Sequence, residues 1–216
     1  MLRALLLDFD GLILDTETPL IDAYARVHAD HGVTFDRTRF LHGVGHAEYA
    51  FDPWHGFSPH ADRAVLEEEC RAAKAGIILA QPILPGVEAL LTAAAAAGWL
   101  MAVVSNSPRE WVDPHLERLG LRAHFRHTVC RGDAPAPKPE PDLYRLALNQ
   151  LGVRASEAVA CEDSHTGTLA ARRARVWTVA VPNASTAHHD FSHADWLVPS
   201  LAEVSPTALR ARFGRP

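Results

Sequence analysis

The chain has 216 residues, 48% hydrophobic and 22% charged, with a formal net charge of −5; this suits one large globular domain, or a domain with a small insertion, around a real core. The negative balance and the scatter of arginines exclude a basic face for nucleic acid. The longest apolar candidate, Ala89 to Ala97, is interrupted by Thr92 and ends at Gly98, short of a membrane span.

In chain order, "RALLLD" (Arg3 to Asp8) is a short continuous apolar run, which predicts a strand buried on both faces of a parallel sheet. From Pro19 to His31 the pattern turns helical, with Leu20, Ala23, Tyr24 and Val27 in period and His31-Gly32 as a stop. Residues 42 to 60 are rich in Gly, Pro, His and aromatics without a period, and a helix is predicted from about Ala61 to Ile78. "QPILPGVEAL" (Gln81 to Leu90) reads as a linker whose helix starts at Gly86.

Strands and helices then alternate. "WLMAVVS" is a strand ending at Ser105, and Ser107-Pro108 is an N-cap and first-turn pair for the next helix, which Pro114 should kink or stop early. "HTVC" is a strand, Pro141 to Leu151 a helix, "AVACED" a strand ending at Glu162 and Asp163, Thr166 to Arg175 a helix, and "VWTVAV" a strand. The alternation predicts an α/β fold: a doubly wound, Rossmann-like parallel sheet formed by residues 1–15 and 82–216, with a helical cap inserted over 16–81. In such sheets ligands bind beyond the carboxyl ends of the strands, where Asp8, Ser105 and Asp163 sit.

"LLLDFDGLILDTE" (Leu5 to Glu17) sets Asp8 and Asp10 at one strand end, and Glu162 with Asp163 close another. Carboxylates beside a buried strand are costly unless paired, and four that converge call for a cation; all-oxygen ligation favours Mg²⁺. A phosphate drawn to that ion needs donors. Ser105 and Asn106 precede a helix N-terminus that can supply them, although Ser-Asn before a helix is also an ordinary cap. Lys138, one of two lysines in the chain, lies among the prolines of "APAPKPEPD"; it reads as an aimed point charge or as a surface lysine. Cys70, Cys130 and Cys161 are odd in number and lack CxxC spacing, so reduced thiols are expected. The N-terminus has no signal-peptide order and a cytoplasmic location is expected. Nothing sets the oligomeric state, and a monomer is compatible with the sequence.

"DFDGLILDTE", "VVSNS", "PKPEPD" and "ACEDSHTG" resemble, in order and spacing, the four motifs of the haloacid dehalogenase-like hydrolase superfamily, in the branch with a helical cap after the first motif. "FDPW" (Phe51 to Trp54), "HLERLGLRAHF" and "VAVPN" are similar to a phosphatase or beta-phosphoglucomutase-like subgroup. The resemblance implies that Asp8 attacks phosphorus to form an aspartyl-phosphate and that Asp10 serves as acid, then base. It implies Mg²⁺ held by Asp8, the backbone carbonyl of Asp10 and Asp163, with Glu162 acting through a water. Ser105, the N–H of Asn106 and Lys138 would hold the phosphate, Gly11 would permit the sharp turn, and Asp15 with Thr16 would brace the hinge into the cap.

The implied substrate is a small phosphorylated metabolite, such as a sugar phosphate. Asp10 argues against dehalogenation. Phosphonate cleavage would need a cap lysine, and Lys74 alone is available, on a helical face that reads as solvated. A phosphomutase usually has a His after the Asp-Thr and an Arg in the cap loop; Leu20 and His46 stand there, which favours a phosphatase. A non-catalytic phosphate-binding protein is the third alternative. His42, His46 and His55 are candidates for the face that selects substrate. His188, His189 and His193 are not expected to bind metal. Arg175 stands where the family commonly has a helix-ending glycine.

Overall fold

The computed structural model describes residues 1–41 and 52–214. The chain forms two compact units, one of residues 1–14 and 83–216, the other of residues 15–82.

The larger unit is built on a six-stranded, wholly parallel sheet, and its strands are the continuous apolar runs of the sequence: β1 (Ala4–Leu7), β2 (Leu100–Val104), β3 (His127–Val129), β4 (Ala158–Glu162), β5 (Trp177–Ala180) and β6 (Trp196–Leu197). Their order across the sheet is β3-β2-β1-β4-β5-β6, so the direction of winding reverses between β1 and β4. The helices around it are α4 (Val87–Ala96), α5 (Arg109–Arg118), α6 (Asp142–Leu151), α7 (His165–Arg173) and α8 (Pro206–Phe213), numbered along the whole chain after α1 to α3 of the smaller unit.

Every residue of β1 and β4 is fully buried, which is why these segments carry no polar alternation. Ala4 and Leu6 pack with Ala102, Val104, Ala158 and Ala160 against Leu143, Tyr144 and Ala147 of α6 and Ala170 and Ala171 of α7. Burying a leucine such as Leu6 stabilises the fold by about 1.5–3 kcal/mol. The alanines of β4 and α7 let helix and sheet approach closely.

The smaller unit has α1 (Glu17–Asp30), α2 (Arg37–Leu41) and α3 (Arg63–Ala80), and no strand among its described residues. Ala23, Val27, Trp54, Leu66 and Cys70 form its core. Trp54 is fixed there by stacking on His28 and by donating its indole N–H to Glu67 at 2.7 Å. Asp15 caps α1, its carboxylate accepting from the N–H groups of Glu17 and Thr18.

Three details depart from the sequence reading and one, Arg175, accords with it. Pro114 does not stop α5, which runs four residues past it, because buried Val112, His115 and Leu116 hold both sides of the proline to the core. Ser107 is not a side-chain cap: Pro108 takes the cap position and the Ser107 hydroxyl is used elsewhere. Arg175 adopts the left-handed conformation (φ 61°) that a helix-ending glycine would supply, at a cost of about 1–2 kcal/mol for a residue with a Cβ. Strand β6 and helix α8 had no counterpart in the predicted elements.

Candidate active site

The parallel register carries β1, β2 and β4 to the same edge. Leu7 pairs with Val103 on one side and Cys161 on the other, so the next residues, Asp8, Val104 and Glu162, emerge side by side. Asp8 still donates its N–H to the Cys161 carbonyl at 3.1 Å, and Ser105 donates to that of Val129 at 2.9 Å. Asp8 and Ser105 therefore leave strand ends whose backbone is paired.

Lys138 reaches this edge from the loop between β3 and α6. It is 2% exposed, and its ammonium donates to Asp8 Oδ1 at 2.8 Å, to the Val104 carbonyl at 2.7 Å and to Glu162 Oε1 at 2.5 Å. An ammonium has three hydrogens, and these three bonds use them all. Asn106 fixes the lysine's backbone, its amide accepting from the Lys138 N–H at 2.8 Å and donating to the Lys138 carbonyl at 3.0 Å. From α7, Arg173 donates to the carbonyl of Pro139 and to Glu140.

Glu162 is fully buried. Besides Lys138, its Oε1 accepts a short hydrogen bond from the Tyr144 hydroxyl of α6, while Oε2 is buried without a hydrogen-bond partner. A Cβ at Gly167 would lie 1.9 Å from Oε2, so only glycine fits there. Burial, reinforced by the Asp8 carboxylate, pushes the Glu162 carboxyl up to about 8 against the pull of Lys138. Burial likewise raises Asp8, and Tyr144 is raised by burial and then by the Glu162 charge. Burial alone would lower the lysine, but the carboxylates of Asp8 and Glu162 outweigh it and hold Lys138 above its usual value, as an ammonium.

Asp163 is 1% exposed. Its Oδ2 accepts from the Asn183 amide at 2.8 Å, and the same amide nitrogen donates to the Gly11 carbonyl at 3.1 Å. Asn183 Oδ1 in turn accepts from the N–H groups of Ser185 and Thr186, which locks the loop after β5. Gly11 is needed twice: its φ is +73°, and a Cβ would meet Asp163 Oδ2 at 2.4 Å and the Asn183 amide at 2.6 Å.

Asp10 is held by the loop after β2. Ser107 Oγ donates to Asp10 Oδ2 at 2.6 Å, Ser105 Oγ more weakly at 3.4 Å, and the Trp111 indole N–H donates to Oδ1 at 2.9 Å. Ser105, 1% exposed, also accepts from the Ser107 N–H.

All seven sequence candidates, Asp8, Asp10, Ser105, Asn106, Lys138, Glu162 and Asp163, thus lie along one edge of the sheet. Ser107, Trp111, Tyr144 and Asn183 belong to it too and were missed as site residues. The "PNAST" run after a strand is an Asx-turn signal that could have drawn attention to Asn183. His55 is an exposed turn residue, and His42 and His46 lie outside the described residues. His188 and His189 are in ring contact, and His193 bonds the Thr168 hydroxyl.

Among the described residues, Asp8, Glu162 and Asp163 are the one group of three or more potential ligands close enough to share an ion, their oxygens lying within 4.8 Å of one another. Buried and all-oxygen, the set fits a hard divalent cation. No helix among the described residues is long and apolar enough to cross a membrane.

A family model for haloacid dehalogenase-like hydrolases matches residues 2–175. The chain belongs to that family. It is 35% identical to YhcW of Bacillus subtilis over 208 residues, covering 94% of each chain. It is 32% identical to hexitol phosphatase B of Escherichia coli K12 over 213 residues, again covering 94% of each. Among solved structures it is similar to a HAD family hydrolase from Deinococcus radiodurans R1 with bound phosphate and sodium, with a TM-score of 0.79 and 28% identity, over 97% of this chain and 96% of that one. Within the family the chain is a phosphoric monoester hydrolase.

Proposed function

We propose that the protein is a Mg²⁺-dependent phosphatase that hydrolyses a small phosphorylated metabolite of the sugar phosphate class through an aspartyl-phosphate on Asp8. The observation that carries this reading is Lys138, whose buried ammonium joins Asp8 to Glu162 across 130 and 24 residues of sequence. That ammonium favours the ionised form of Asp8 against the burial that raises its carboxyl. An anionic carboxylate beside Asp163 is a nucleophile in need of an electrophile. The name of hexitol phosphatase B supports a polyol or sugar phosphate as the substrate class.

Asp8, Asp163 and the backbone carbonyl of Asp10 would hold Mg²⁺, with Glu162 behind them through a water. Bound there, the ion supplies charge that draws the phosphate in and lowers its repulsion from the carboxylates. An Asp8 oxygen attacks phosphorus, the bond to the leaving oxygen breaks, and Asp10 gives that oxygen its proton. Asp10 then takes a proton from the water that cleaves the acyl-phosphate, which returns Asp8 and releases phosphate. Ser105 and the N–H of Asn106 would bind the phosphate oxygens at the start of α5. The unit of residues 15–82 is read as the cap that selects substrate, with His55 and, outside the described residues, His42 and His46 as candidates. We place the enzyme in the cytoplasm; a monomer is compatible with the sequence.

Phosphate release from hexitol and hexose phosphates, with Mg²⁺ and with EDTA, tests this reading. Turnover that needs Mg²⁺ and is lost in Asp8→Asn is expected, together with an acid-stable label on the protein from ³²P substrate. Activity surviving both EDTA and Asp8→Asn would overturn the mechanism. Interconversion of hexose phosphates faster than hydrolysis would make the enzyme a mutase instead.

A further inference from the structure

We propose that Trp111 is a positioning residue for Asp10, fixing which carboxylate oxygen carries the proton to the leaving group; this rests on Asp10 being the acid. The two oxygens of Asp10 are held by chemically different donors. Oδ1 accepts from the Trp111 indole at 2.9 Å, and Oδ2 from the Ser107 hydroxyl at 2.6 Å. An indole N–H can only donate, whereas a hydroxyl donates or accepts. The Trp111 bond takes one of the two lone pairs of Oδ1, and a proton on that oxygen would weaken it as the indole's acceptor. A proton on Oδ2 meets a hydroxyl that can turn and accept. The proton therefore belongs on Oδ2, the side shared with Ser107 and Ser105.

The indole is itself held in place. Trp111 lies in the first turn of α5, and one helical turn on its ring meets that of His115 edge-on, with centroids 4.5 Å apart. His115 is buried, and its ring lies 6.2 Å from that of Phe9, the residue between Asp8 and Asp10. The chain of rings thus starts beside Asp10 in sequence and returns to it in space. That closure sets the indole N–H against a carboxylate whose backbone the same rings help to seat.

In the forward step an Asp8 oxygen bonds to phosphorus, the bond from phosphorus to the leaving oxygen breaks, and the Asp10 Oδ2 proton passes to that oxygen. A poor leaving group, such as an alkyl alcohol, needs that proton; the anion of an acidic phenol departs without it. The test is kcat/KM, which stops at the first irreversible step, for a hexitol phosphate and for 2,4-dinitrophenyl phosphate. Trp111→Phe keeps a ring on His115 and removes the N–H. It is expected to lower kcat/KM about tenfold for the alkyl phosphate, a fraction of what a general acid contributes, and to leave the aryl phosphate within about twofold. Benzothienylalanine at position 111 keeps the bicyclic shape without the N–H and should give the same split, should Trp111→Phe disturb packing. An equal fall for both substrates would mean a merely structural role and overturn the proposal, as would no change for either. Asp10→Asn separates this from the underlying reading. If it spares the alkyl phosphate, Asp10 is not the acid and both ideas fail; if it abolishes alkyl turnover while Trp111→Phe leaves alkyl kcat/KM unchanged, the proposal for Trp111 fails alone.

Discussion

Replacing Lys138 by Met exposes the energetics of the site most directly. The ammonium lies 2.8 Å from Asp8 Oδ1 and 2.5 Å from Glu162 Oε1, all three groups being buried. At an effective dielectric of about 20 each pair attracts by about 6 kcal/mol, and desolvating the three ions offsets most of that. Removing one partner does not return the system to zero, because two carboxyl groups then stay buried without a counter-ion and must remain charged or take up protons. Breaking a buried pair in this way costs about 3–5 kcal/mol, and the stranded Val104 carbonyl adds about 1 kcal/mol or more. Since a domain is stable by about 5–15 kcal/mol, Lys138→Met should remain folded but much weakened.

Urea unfolding in EDTA, followed by tryptophan fluorescence, measures the loss. Two further outcomes make the reasoning specific. The double variant Lys138→Met/Glu162→Gln should be more stable than Lys138→Met alone, because one unpaired charge is gone. The destabilisation should also shrink toward acid pH. With Lys138 gone, Asp8 and Glu162 have folded pKa values above their unfolded ones, so their contribution is fully present below the unfolded values and is lost as pH rises through the folded ones. Lys138→Met within about 1 kcal/mol of the parent, well under the expected cost, or a deficit that grows on acidification, would refute this account.

Three other outcomes are expected. Asn183→Ala, which frees Asp163 Oδ2 and the Gly11 carbonyl from their shared amide, should weaken Mg²⁺ binding about tenfold by calorimetry; unchanged affinity would count against a role in orienting Asp163. Tyr144→Phe removes a hydroxyl that donates to buried Glu162 and should cost about 1.5–3 kcal/mol in the same urea assay, so an unchanged midpoint would contradict that bond. Glu157 is held down to about 2 by the Arg154 side chain, the Arg154 N–H and Arg3; its contribution is present above the ordinary value near 4.5 and fades as pH falls toward 2. Glu157→Gln should therefore flatten the drop in Tm between those two pH values, and parallel curves for variant and parent would argue against it.

The parts of this fold that were legible in the sequence are those set by local pattern. Strands buried on both faces must be apolar throughout, so "RALLLD" and "AVACED" announced β1 and β4, and the carboxylates closing them marked strand ends. Lys138 stood out because lysine is scarce here and because prolines flank it. What stayed hidden depends on long-range register. Nothing local distinguishes the hydroxyl of Ser107 as a partner of Asp10 from an N-cap, since both uses need a short oxygen-bearing side chain before a helix. Tyr144 reads as one apolar position of an amphipathic helix, and only the proximity of α6 to β4 gives its hydroxyl a carboxylate. Pro114 and Arg175 show tertiary packing overriding local preference in the other direction.

The same geometry refines what Lys138 can do for a phosphate. All three of its hydrogens are committed to Asp8, Val104 and Glu162, so the lysine has no spare donor for a substrate oxygen in this arrangement. Its effect on a phosphate acts through Asp8, whose ionised form it favours and whose oxygen it aims. Asp8 and Glu162 share that one ammonium and Asp163 lies within 4.8 Å of them, so a phosphate dianion approaches a site richer in carboxyl groups than in cations. Hydrogen bonds from Ser105 and the N–H of Asn106 are too weak to reverse that balance. A divalent cation can, and this is the strongest physical ground for tying turnover to Mg²⁺. It also divides the labour of the site: Lys138 prepares the nucleophile, and the ion brings in the electrophile. Chelation should therefore abolish substrate binding as well as turnover, while Lys138→Met should spare phosphate binding more than it spares the chemical step.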